Sequence, residues 1–122
     1  MPESPDFDPA AIERLQRLGG TDFVLKMLDL FLDYAAKKIS EARAALSAGN
    51  LEAVESAVHP LKSSAGNIGA ARLRALATQA EDLARERQAE AVTACLAELE
   101  AAFAAVKPLL EQKRQALSRP DR

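Results

Sequence analysis

The segment from Leu51 to Ala70 reads LEAVESAVHPLKSSAGNIGA. Its apolar residues Leu51, Val54, Val58, Leu61, Ala65 and Ile68 recur at steps of three and four, the spacing that lays one stripe along a helix for burial in a bundle. At about 100° per residue these six cluster within roughly 50° of a common direction, and His59 lies about 130° away from it. The imidazole of His59, the sole histidine of the chain, is therefore expected to face solvent. Its neighbours on the helix surface are Glu52 and Glu55 toward the N-terminus, and Lys62, Ser63 and Gly66 toward the C-terminus. The small residues leave one side of the ring open to a partner protein.

Outward from this segment the chain reads as further helices. Asn50 is the expected N-cap of the His59 helix, and Asn67 and Gly69 mark its end. Upstream, Asp8 with Pro9 starts a short helix carrying Ile12, Leu15 and Leu18, which Gly19 and Gly20 end. A second helix runs from a Thr21 cap to about Leu46 and closes at Gly49. Its wide apolar face holds Phe23, Met27, Phe31 and Tyr34 on one side and Val24, Leu28, Leu32 and Ala35 on the other, enough to touch two neighbours. Downstream, Leu73, Leu76, Ala80 and Leu83 form one more stripe, with a boundary near Arg87 and Gln88. The last helix carries Val92, Cys95, Leu96, Leu99, Phe103, Val106 and Leu110, with Pro108 expected to bend it.

Short connections between long helices favour antiparallel neighbours. The expected fold is all-α: an antiparallel up-down four-helix bundle with an additional short N-terminal helix. It spans residues 7–112, between a disordered leader at 1–6 and a frayed or disordered tail at 113–122. A bundle with this many helices closes on itself, as a monomer. Pro60 inside the His59 helix frees the Ser56 carbonyl at a cost of about 3 kcal/mol and is expected to bend the helix locally.

Composition narrows the function. With 16 Lys and Arg against 18 Asp and Glu the chain has a formal charge of -2, so no broad basic face is available for nucleic acid. The N-terminus MPESPDFDP lacks the basic start and apolar run of a secretory signal, and no stretch reaches the roughly 18 apolar residues a membrane helix needs. The expectation is a cytoplasmic protein, and the initiating Met before an acidic leader favours a free-standing one. Cys95 is the only cysteine and reads as a buried thiol among Val92, Leu96 and Leu99. No GxxxxGK[ST] loop or glycine-rich kinase loop is present, so the chain has no ATP site of its own.

What remains is an exposed histidine, either an indifferent surface residue or a nucleophile. Lys62, at i+3, opposes imidazole protonation and attracts an anion, and both effects favour attack of the neutral ring on a phosphoryl group. An orienting partner for the second ring nitrogen would complete the arrangement. Counting across the turn at Gly49 brings Lys37, Lys38 and Glu41 near the level of His59. Counting across the break near Gly69 brings Gln79 there. Lys38 is accordingly a candidate second phosphate-side cation and Gln79 a candidate ring-orienting group.

At these residues the chain resembles histidine-containing phosphotransfer (HPt) domains, whose signature runs roughly H-x-L-K-[GS]-S-[SA]-x-x-[LIV]-G-A. His59, Leu61, Lys62, Ser63, Ser64, Ala65, Ile68, Gly69 and Ala70 fit it. The flanks LGGTDFVLKMLDLFL and LRALATQAEDL extend the likeness over about residues 7 to 110. Pro60 and Ala80 depart from the usual pattern. The resemblance implies that His59 accepts a phosphoryl group from a receiver-domain aspartyl phosphate and passes it to another receiver. Lys62 helps to hold that group, and Ser63 lies under the docking partner beside Glu55 and Gly66. The implied partners are receiver domains of a hybrid histidine kinase and of response regulators, with Mg²⁺ on the receiver and no cofactor on this chain. The chain would be a phosphocarrier without kinase activity. Three alternatives compete: a receiver-docking regulatory bundle that carries no phosphate, a metal bundle built on Glu52, Glu55 and His59, and the dimerisation region of a histidine kinase.

Overall fold

The structure, a computed structural model, describes residues 6–118. Residues 1–5 of the expected leader and 119–122 of the expected tail lie outside the described residues. Within them the chain forms four helices and no strand: α1 Pro9–Ser47, α2 Leu51–Ile68, α3 Ala71–Arg85 and α4 Ala89–Leu117. Turns of two or three residues join them. Consecutive helices pack against each other and α1 closes the ring on α4, giving the antiparallel up-down bundle.

Local chemistry places the boundaries. Asp8 caps α1 by accepting the Ala10 amide at 3.0 Å, with Pro9 at the first helical position. Within α1 the helix breaks at Gly20, whose φ of 81° lies in the left-handed region. This is the expected division between the short first helix and the long second one. Thr21 does not cap the second segment; its hydroxyl instead accepts the Gln16 side-chain amide at 2.7 Å across the break. Asn50 caps α2 by accepting the Ala53 amide at 3.0 Å. Gly69 ends α2 in the left-handed conformation, and its carbonyl accepts the Asp8 amide at 2.8 Å. The start of α1 is thereby pinned to the α2–α3 turn.

The α2 stripe is inside as its spacing requires. Val54, Val58, Leu61 and Ala65 are fully buried, Ile68 nearly so, and Leu51 is partly covered. Each buried Val, Leu or Ile side chain among them contributes on the order of 1.5–3 kcal/mol. Opposite them the core is filled by Val24, Leu28, Leu73, Leu96, Leu99, Val106 and Leu110. Cys95 is buried and donates to the Leu76 carbonyl at 3.5 Å, and burial pushes its thiol pKa up.

The expectation about the C-terminal end is corrected, and both proline-bearing helices are continuous. α2 runs unbroken through Pro60, and α4 runs unbroken through Pro108. The segment expected to fray from residue 113 is helical as far as Leu117. Leu117 packs on the core, and Arg114 holds Asp29 of α1 by two hydrogen bonds of 2.6 and 3.0 Å. The polar run KRQ hid the Arg114 anchor, because it is a contact with α1 that spacing along α4 does not show.

Candidate functional site

α2 turns His59 outward because Val58 and Leu61 on either side of it are drawn inward. The His59 side chain is 64% exposed, yet one ring nitrogen is not free: Nδ1 is hydrogen-bonded to Glu81 Oε2 on α3. Glu81 is only 4% exposed, and its other oxygen, Oε1, accepts Lys62 Nζ at 2.5 Å. Arg85, one turn along α3, places Nη2 3.4 Å from Glu81 Oε2 and Nε 3.1 Å from Glu55 Oε2. A single buried carboxylate thus gathers one imidazole and two cations at the mouth of the α2–α3 groove.

The electrostatics assign the protons. Burial pushes the Glu81 carboxyl upward, but the hydrogen bonds from Lys62 and His59 outweigh it and hold the group below its ordinary value of 4.5. Glu81 is therefore a carboxylate at neutral pH and accepts only. His59 Nδ1 must then carry a hydrogen and donate it, so Nε2 is the ring nitrogen on the solvent side and, in the neutral ring, the one with the free lone pair. The arrangement presents an oriented nucleophilic nitrogen, backed by a charge that stabilises positive charge on the ring.

The residues singled out from sequence divide. His59 and Lys62 meet on Glu81, and Glu55 joins them through Arg85. Ser63 is exposed and Gly66 partly exposed beyond Lys62 on the same helix. Lys38 is not in this cluster. It bonds to Glu41 at 3.2 Å and stands 5.6 Å from the centroid of the Tyr34 ring, because the groove that holds His59 opens between α2 and α3, away from α1.

Gln79 does not orient the ring; it lies on the exposed face of α3, and Glu81 takes that place. The error is one of register. Centring the hairpin on Gly69 sets residue 79 opposite His59, whereas centring it on Ala70 sets residue 81 there. Glu81 left a signal in the sequence: it falls on the buried stripe of Leu73, Ala77, Ala80 and Ala84, where an acid is out of place unless paired.

Among the described residues no group of three or more His, Cys, Asp or Glu is placed to hold a metal ion, and no helix is long and apolar enough to cross a membrane. Glu52 lines the groove with Glu55 and His59, but Glu55 is spent on Arg85 and His59 on Glu81.

Comparison with known proteins places this geometry in a family. The sequence model of the Hpt domain matches residues 26–117. Histidine-containing phosphotransfer protein 2 of Arabidopsis thaliana is 31% identical over 103 residues, a match covering 82% of this chain and 66% of that protein's length. The chain thus spans about two thirds of that relative. Among solved structures, histidine-containing phosphotransfer protein B of Pseudomonas aeruginosa PAO1 superposes with a TM-score of 0.88 at 28% identity, covering 93% of this chain and 98% of that one. A histidine-containing phosphotransfer protein from maize gives a TM-score of 0.76 at 26% identity, covering 88% and 86%. With the matched region holding His59, Lys62 and Glu81 together, the chain belongs to the histidine-containing phosphotransfer (Hpt) domain family.

Proposed function

We propose that the chain is a phosphorelay carrier in which His59 Nε2 takes a phosphoryl group from an aspartyl phosphate of one receiver domain and yields it to the aspartate of another. The observation that carries this reading is the hydrogen bond from His59 Nδ1 to buried Glu81, which turns Nε2 outward and makes it the nucleophilic nitrogen of the neutral ring.

In the forward step the bond between phosphorus and the aspartyl oxygen breaks as the bond from phosphorus to Nε2 forms, and the aspartate leaves as its carboxylate. No proton has to move. The ring becomes a phosphorylated imidazolium, and its Nδ1–H remains donated to Glu81, whose charge balances the one created. Lys62 spends one donor on Glu81 and has two left for phosphoryl oxygens. The Mg²⁺ of the reaction belongs to the receiver, as does most of the charge stabilisation at the moving phosphoryl group. On this reading the chain is a carrier and the kinase is a separate component.

The test is transfer itself. Incubation with a phosphorylated receiver is expected to give an acid-labile phosphoryl adduct, read by intact mass, on the wild type and none on His59→Ala. Equal labelling of both, or of neither, would refute the reading and favour a bundle that docks receivers without carrying phosphate.

A further inference from the structure

The groove between α2 and α3 has two unlike halves, divided at the level of His59. The half toward the start of α2 is lined by Asn50, Glu52, Glu55 and Arg85. Its one cation is already shared among Glu55, Glu81 and Asp82. The other half is lined by Lys62, Ser63, Gly66, Asn67, Arg74 and Thr78, with two cations and no carboxylate. Lys62 gives one contact to Glu81, and the Arg74 guanidinium has no acidic partner among the described residues. In a chain whose acids outnumber its bases, a groove beside the nucleophile that holds that unpaired guanidinium and no carboxylate of its own has a use.

Gly66 gives the second observation. It sits in the body of α2 without a left-handed φ, so backbone conformation does not require glycine there, and glycine in a helix costs about 1 kcal/mol relative to alanine. What its missing side chain provides is room. A Cβ at Gly66 would stand 3.1 Å from Arg74 Cδ and 3.3 Å from its Nε. The Arg74 side chain therefore lies across α2 on the bare patch that Gly66 leaves, with its guanidinium on the same groove as Lys62. A planar fork held against a helix is suited to carboxylates, which it binds by two parallel hydrogen bonds.

We infer that Arg74, seated on Gly66, is a docking and specificity residue that engages carboxylates of the receiver domain flanking its phosphorylated aspartate, while Lys62 serves the phosphoryl group. This rests on the carrier reading above. The occupant follows from charge and place: the groove adjoins the nucleophile through Lys62, and whatever delivers an aspartyl phosphate to His59 lays its own acidic site along it. Arg74 is one groove-length from the ring, so it acts on encounter and register and leaves the chemical step to His59, Lys62 and Glu81.

The experiment compares two phosphodonors on the wild type, Arg74→Ala, Arg74→Lys and Gly66→Ala. With phosphorylated receiver as donor, Arg74→Ala is expected to raise KM about tenfold at unchanged kcat and to flatten the dependence of KM on salt. Arg74→Lys should recover the salt dependence but only part of the affinity, and Gly66→Ala should move KM the same way by a smaller factor. With phosphoramidate, a small donor that needs no docking, all four proteins should label His59 at one rate. A wild-type KM and salt slope in Arg74→Ala would overturn the inference while leaving the carrier reading intact. Loss of labelling by phosphoramidate in Arg74→Ala would also overturn it, by placing Arg74 in the phosphate site. A wild type that accepts phosphate from neither donor would remove both readings.

Discussion

Glu81 is a buried charge whose desolvation opposes its ionisation, and its partners His59, Lys62 and Arg85 all lie at least partly in solvent. Stability alone gives little reason for such a group, since apolar replacements of buried ionic networks are often neutral or better. Glu81→Met is expected to melt no lower than the wild type, within about 1 kcal/mol, because each freed partner can return to water. Its transfer rate should nevertheless fall by about 10- to 100-fold, the worth of a charge-assisted hydrogen bond of about 1.5–3 kcal/mol. Glu81→Gln, which can still accept from Nδ1, should lose less. The lowered Glu81 pKa adds a pH signature: its contribution to stability is present above the ordinary value of 4.5 and is lost as pH falls through the lower folded value. Glu81→Met should lack that acid limb in thermal melts, and a lowered melting temperature at neutral pH with unchanged transfer would contradict this assignment.

At the level of the helices, most of what places the site was legible. The stripe from Leu51 to Ile68 gave the direction of His59, and caps at Asp8, Asn50 and Gly69 gave the boundaries of α1 and α2. What was hidden was register across a turn. An offset of one residue in the turn centre moves the facing residue by two, enough to exchange exposed Gln79 for buried Glu81, and no spacing along one helix reports it. Lys38 was misplaced for a related reason: level along a bundle says nothing about which groove a side chain enters. The turns also differ in what they carry. Gly49 and Gly69 both have positive φ, 72° and 89°, but a Cβ at Gly49 meets open space while one at Gly69 would collide with the Asp8 carbonyl oxygen. Gly49→Ala should cost about 1 kcal/mol from the left-handed backbone alone, and Gly69→Ala clearly more, on the order of 3 kcal/mol, since α1 must also lift. Denaturant unfolding of the two variants checks the difference; equal losses would mean that the Asp8 contact is immaterial.

The whole molecule is a bundle whose long apolar seams hold one turn of α2 against one turn of α3, so that the His59 imidazole stands outside the core while the carboxylate it bonds lies within it. The all-α class and antiparallel order followed from periodicity and short connections, because both are local properties of the chain. The buried counter-charge and the basic groove beside it emerged only in three dimensions, as products of α2–α3 packing. The central claim is that Glu81 fixes the ring with Nδ1 protonated and Nε2 free. It is tested most directly by nitrogen-15 NMR of the His59 imidazole before and after phosphorylation. The account predicts that the neutral ring of the free protein is the Nδ1–H tautomer and that phosphorus is bonded to Nε2 afterwards, with Glu81→Met yielding a mixture of tautomers. A neutral ring with the hydrogen on Nε2, or phosphorus on Nδ1, would contradict it.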